Sequence, residues 1–134
     1  MQTDPENRNR KLRVLVVDDH RDSADALAWV LHNIGHHVRT AYDAASALRV
    51  FDELSPEVVF QDLLLPARNG GLEIAREIRK RSPLASAILI AMTGADNAAT
   101  LRASERDAFD HLILKPVGLQ ELNEMLGKAS SRAA

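Results

Sequence analysis

"VLVVDDHRDSAD", residues 14–25, decides how the chain is read. Its first four residues are all apolar, with no alternation, as a strand covered on both faces requires. The run then stops on two adjacent acids, Asp18 and Asp19, where packing alone gives no reason to gather like charges. Working outward, "LRVLVV" (12–17), "EVVFQ" (57–61), "AILIAM" (87–92) and "HLIL" (111–114) read as buried strands. "HVRTAY" (37–42) alternates apolar and polar residues, as an edge strand should.

Helical patterns fill the intervals. Over 22–34, Leu27, Val30, Leu31 and Ile34 form one apolar stripe, and Gly35 is a stop signal. Residues 44–54 place Ala47, Leu48, Phe51 and Leu54 on one face and end before Pro56. Residues 71–81 carry Leu72, Ile74, Ala75 and Ile78, and residues 119–126 carry Leu119, Leu122, Met125 and Leu126. Residues 97–108 make a poorer helix with little apolar face. The order is strand then helix, five times over, which implies an α/β fold with a parallel sheet covered on both faces. Right-handed crossovers and short connections make the doubly wound five-stranded order 2-1-3-4-5 the most economical topology. Ligands in such sheets sit outside the carboxyl ends of the strands, near the switch point between strands 1 and 3.

Length and composition set bounds. A chain of 134 residues suits one domain and can bury about two-thirds of its unfolded surface. The absence of cysteine excludes a disulfide scaffold and thiolate metal sites. "MQTDPENRNRKLR" lacks the apolar core of a signal peptide, and no apolar run approaches the ~18–20 residues of a membrane span. A soluble, cytoplasmic protein with no membrane partner is expected. Net charge is −2, with basic residues spread out apart from small clusters at 8–13 and 76–81, so nucleic-acid binding is not indicated. Arg79 and its neighbours, beside Glu73 and Glu77, read as a solvated helix face. Residues 1–11 are expected to be a flexible tail, 12–128 the folded domain and 129–134 a second tail.

The strand ends carry the chemistry. Strand 1 ends in Asp18-Asp19, strand 3 runs into Asp62, strand 4 ends in Thr93, and strand 5 ends in Lys115-Pro116. The topology gathers these distant residues on one rim. Taken singly, each has an ordinary explanation: an Asp or Thr between strand and helix is a good N-cap, and Asp62 could be a turn residue. Together they do not. Carboxylates ~5 Å apart repel by about 3 kcal/mol per pair at an effective dielectric near 20, a heavy load for a domain with a net stability of about 5–15 kcal/mol. A hard divalent cation removes the conflict, and sparse oxygen ligation suits Mg²⁺. An ammonium and a hydroxyl nearby are then donors for phosphoryl oxygens. An aspartate can be the nucleophile, and Asp62, from the central strand and apart from the acid pair, is the favoured acceptor.

"VLVVDD", "VVFQDLLLPARNGG", "AMTG" and "FDHLILKPV", in this order and at these intervals, resemble the receiver domain of two-component response regulators over about residues 12–128. The resemblance implies a flavodoxin-like fold. It makes Asp62 the phosphorylation site. It implies further that Asp19 would bind Mg²⁺ directly and Asp18 largely through water, with the backbone carbonyl of Leu64 completing the protein ligands. Lys115 pairs with the phosphoryl group, Thr93 turns inward to bond it, and the Lys115–Pro116 peptide is often cis. The donor is a phosphohistidine on a sensor histidine kinase or a histidine phosphotransfer protein. Such a domain is no enzyme beyond its own phosphorylation and dephosphorylation. There are departures. Leu112 stands where the family commonly has Tyr, Phe or His, so a hydroxyl cannot exchange between solvent and interior. "ARNGG" replaces the more usual loop, and Gly71 loosens the start of the following helix. Leu64 is apolar and cannot orient a hydrolytic water, which implies slow self-dephosphorylation.

His32, His36 and His37 have tempting metal-ligand spacing, but no acid-rich partner lies near them in sequence, and surface positions are expected. His20 reads as an exposed rim residue. Trp29 falls opposite the Leu27–Leu31 stripe: either it packs under a neighbour or it is exposed and anchors a partner. The expected function is a single-domain response regulator acting through altered protein contacts or onward phosphotransfer. Its output face would comprise strand 87–92, helix 97–108 and strand 111–114. "FDHLILKPV" looks most like receivers attached to hybrid kinases, and no DNA-binding domain is expected in the residues after 128. The alternative is a receiver-fold binding module indifferent to phosphorylation. A Mg²⁺-dependent phosphatase fits less well, because its acids usually read D-x-D, and a flavodoxin lacks its phosphate loop here.

Overall fold

The computed structural model describes residues 11–63, 71–81, 87–94 and 106–133. Nine elements appear among them: β1 (Arg13–Val17), α1 (Arg21–Ile34), β2 (His37–Ala41), α2 (Ala44–Leu54), β3 (Val58–Asp62), α3 (Gly71–Arg81), β4 (Ile88–Thr93), β5 (His111–Leu114) and α4 (Leu119–Ala133). The strands form one parallel sheet in the order β2-β1-β3-β4-β5, the expected topology. The first-tail residues 1–10, most of the helix expected over 97–108, and Leu64 lie outside the described residues.

The alternation of side chains along each strand divides the core into two layers. Leu15, Val17, Val59, Leu89 and Ala91 face α2 and α3, where they meet Ala47, Phe51, Leu54, Ile74 and Ile78. Val14, Val16, Phe60, Ile90 and Met92 face the other way, toward Leu31 of α1 and Leu122 and Leu126 of α4. The central strands β3 and β4 are buried at every position, which is why their sequences show no polar alternation. Burying side chains such as Phe60 and Ile90 stabilises the fold by about 1.5–3 kcal/mol each.

Helix ends are fixed locally. Asp43 caps α2: its Oδ1 accepts from the Ser46 backbone N–H at 2.8 Å, and that bond, with help from the Ser46 hydroxyl, holds its carboxyl below the ordinary range. Gly35 ends α1 in a left-handed conformation (φ 117°) that favours glycine. α4 runs further than its sequence pattern suggests. The expected tail from residue 129 is helical to Ala133, because Ala129 and Ser130 continue the buried stripe begun by Leu122 and Leu126.

One histidine corrects its expectation. His32 and His37 are exposed, but His36 is buried. The turn at Gly35 brings it back toward the sheet, where its backbone N–H donates to Leu31 and its Nδ1 accepts from the Leu12 N–H at 3.1 Å. Burial holds its pKa below the usual value, against the opposing charge of Glu57. The unfolded chain therefore binds more protons here than the folded one, and stability falls as pH drops from ~6.5. Urea unfolding of the native protein and His36→Gln across pH 7.5 to 5 tests this. The variant should lose part of the acid-induced drop, and an identical pH slope in both proteins would contradict the assignment.

Candidate functional site

Strand register builds the site. Val17 is paired with Gln61, so Asp18 leaves β1 beside Asp62 at the end of β3. Asp62 pairs with Met92, which puts Thr93 one step beyond, and Thr93 pairs with Leu114, which delivers Lys115. Backbone bonds carry the ladder past the strand ends: Asp18 N–H to Ala41, Leu63 N–H to Met92, and Lys115 N–H to Thr93. The Lys115–Pro116 peptide is cis.

Oxygens of Asp18, Asp19 and Asp62 lie within 4.8 Å of one another. Asp18 and Asp62 are buried, whereas Asp19 is exposed. Lys115 Nζ stands 3.0 Å from Asp18 Oδ2 and 3.0 Å from Asp62 Oδ2. Asp18 Oδ1 accepts from the His20 backbone N–H at 2.9 Å. Burial pushes the Asp18 carboxyl above its ordinary pKa, and the Asp62 charge adds to this, although the His20 N–H and Lys115 pull the other way. Burial also works against the Lys115 ammonium, but Asp18 and Asp62 outweigh it and hold its pKa above the usual value. Thr93 is buried, and its Oγ1 has no hydrogen-bond partner among the described residues.

These donors fit a hard divalent cation. All three carboxylates offer oxygen, two are sheltered from water, and the one ammonium among the described residues cannot neutralise three negative charges. Asp18, Asp19, Asp62, Thr93 and Lys115, singled out in the sequence from four separate segments, thus converge on one rim.

Other features had no readable signal. His20, expected as a bystander on the rim, is the N-cap of α1: its Nδ1 accepts from the Ser23 N–H, and its own N–H fixes Asp18. Histidine is not among the favoured capping residues. A groove of about 700 Å³ opens beside Asp18 and Lys115, lined by Ala26, Leu27 and Val30 of α1 and by Val117, Leu119 and Leu122. It depends on how two remote helices flank the sheet. Leu112 is half-buried and packs against the layer holding Leu63, Ala91 and Phe109.

The response regulator receiver domain model matches residues 14–127, and the chain belongs to that family. Members are signalling domains of two-component systems that typically carry a phosphorylated aspartate and bind Mg²⁺ at an acidic pocket. The receiver domain of NtrX from Brucella abortus is 34% identical, with a TM-score of 0.77, over 88% of this chain and 98% of that one. A longer structure of NtrX from the same organism is 32% identical, with a TM-score of 0.80. It matches over 92% of this chain, which spans only 27% of its length. A receiver domain protein from Clostridium thermocellum is 28% identical, with a TM-score of 0.79, over 91% of this chain and 96% of that one.

Lys115 and Asp18 should be energetically coupled. Without divalent cations, Lys115→Met is expected to cost about 1–3 kcal/mol, because two buried carboxylates lose the hydrogen-bonded ammonium they share. Adding Asp18→Asn should recover about 1 kcal/mol of that loss. Urea unfolding of both single variants and the double variant measures the coupling, and strictly additive effects would show that the contact carries no weight.

Proposed function

We propose that this chain is a phosphoacceptor in two-component signalling, with Asp62 as the residue modified. The observation that carries the reading is the position of Lys115 Nζ, 3.0 Å from both Asp62 and Asp18 inside a cluster of three acids. Asp18, Asp19, Asp62 and the backbone carbonyl of Leu64 would hold Mg²⁺. When bound, the ion would neutralise charge on the acids and on the incoming phosphoryl oxygens.

The chain's own groups have distinct tasks. An Asp62 carboxylate oxygen attacks phosphorus, the phosphorus–nitrogen bond to the donor histidine breaks, and the imidazole departs with the bonding pair. Lys115 then gives up part of its contact with Asp62 to pair with a phosphoryl oxygen. Thr93 Oγ1, buried without a partner among the described residues, supplies a hydrogen bond that the phosphoryl group accepts. The His20 N–H keeps Asp18 oriented throughout. The donor is a sensor histidine kinase or a histidine phosphotransfer protein, and the apolar groove beside Lys115 suits a helix presenting the histidine. Output follows through altered protein contacts or onward phosphotransfer.

Acetyl phosphate with Mg²⁺, followed by intact-mass measurement, tests the reading. The native chain should gain one phosphoryl group and Asp62→Asn none. After donor removal the group should persist far beyond seconds, since Leu64 cannot orient water. No gain in mass would favour a binding module indifferent to phosphorylation, and a gain that survives Asp62→Asn would move the acceptor elsewhere.

A further inference from the structure

Trp29 takes no part in the acid pocket. It is the chain's single tryptophan and is 68% exposed, the largest exposure among the described large hydrophobic residues. It stands over a shallow groove between α1 and the edge strand β2, lined by Asp25, Ala28, His32, Val38, Arg39 and Thr40. Of the alternatives the sequence left open, the structure selects the exposed ring.

The surroundings of Trp29 have a particular symmetry. Asp22 and Asp25 precede it by about two turns and one turn, while His32 and Asn33 follow it by about one turn. All four share the exposed side of α1. The surface thus offers the carboxylates of Asp22 and Asp25 toward the N-terminus of the helix, where exposed Arg21 is held over the Tyr42 ring, and hydrogen-bond donors toward its C-terminus, with an apolar ring between. Such a face is complementary to itself when turned end for end. Asp22 and Asp25 of one copy then meet His32 and Asn33 of the other, and the two Trp29 rings and the small Ala28 side chains meet near the axis. A two-fold contact demands this arrangement, in which residue i meets j and j meets i. Antiparallel helices also place the carboxylates of Asp22 and Asp25 beside the hydrogen-bond donors of the partner's C-terminal turn.

The groups holding this face are already in place. Tyr42 donates to Asp25 Oδ1 at 2.6 Å, and the Arg21 guanidinium lies 4.2 Å from the centre of the Tyr42 ring. Asp25 is therefore oriented in the single chain, with its second carboxylate oxygen available to a partner. Asn33 Nδ2 donates to the Trp29 carbonyl at 2.7 Å and steadies the turn beneath the ring.

We propose that the Trp29 face of α1 is a contact with a second copy of this chain, α1 against α1 in antiparallel fashion across a two-fold axis. The contact is separate from the acid pocket and does not depend on phosphorylation.

Sedimentation of the native chain across a wide concentration range, with tryptophan fluorescence recorded on the same samples, tests it. A monomer–dimer equilibrium is expected, and emission should shift to the blue as the dimer forms, because only Trp29 reports. Trp29→Ala should weaken association by about tenfold or more. His32→Asp, which sets acid against Asp25, should weaken it, whereas His32→Lys should preserve or strengthen it. Circular dichroism of each variant separates lost contact from lost folding. A chain that stays monomeric with concentration-independent emission would overturn the proposal. So would association that survives Trp29→Ala, or equal effects of His32→Asp and His32→Lys.

Discussion

The repulsion among Asp18, Asp19 and Asp62 is the constraint around which this domain is organised. Their oxygens lie within 4.8 Å of one another, and two of the three residues are buried. At such separations each pair costs about 3 kcal/mol at an effective dielectric near 20. Lys115 offsets part of that by standing between Asp18 and Asp62. Among the described residues one ammonium stands against three carboxylates, and the negative charge left over is what would draw a cation to the pocket. Burial sharpens the effect, since the influences that raise the Asp18 pKa are its removal from water and the neighbouring Asp62 charge.

The sheet makes the conflict unavoidable. The pairing of Val17 with Gln61, and of Thr93 with Leu114, fixes where each strand stops relative to its neighbours. A slip of one residue would turn every side chain to the opposite face and scatter the site. The apolar layers on both sides of β1, β3 and β4 prevent the slip, because each layer accepts only one parity of side chain. Core packing and site geometry are therefore one problem. The apolar residues that bury β3, Val58, Val59 and Phe60, hold Asp62 in a place where its charge is costly.

Most of this was legible in the chain. Unbroken apolar runs marked β1, β3 and β4, alternation marked β2 as an edge, and the strand–helix order limited the topology. The acids, Thr93 and Lys115 could be gathered because topology alone sends strand ends to one rim. What stayed hidden depended on distances between remote segments or on a single turn. His36 looked like a surface residue because its burial depends on the Gly35 turn and on the Leu12 N–H, 24 positions away in sequence. His20 did not announce itself as a cap. The end of α4 is weakly marked because Ala129 and Ser130 are small and only faintly apolar, yet small residues suit close packing against a sheet.

The charge balance of the pocket can be measured without any phosphodonor. Unfolding free energy, followed as Mg²⁺ is titrated into the native chain and into Asp19→Asn, tests it most directly. Binding to the folded state alone should raise stability with the logarithm of ion concentration above the dissociation constant. The native chain should show that rise, and removal of one carboxylate should abolish most of it while making the ion-free protein no less stable. An equal response to Mg²⁺ in both proteins, or none in either, would contradict the view that unbalanced acids at the sheet edge form a cation site.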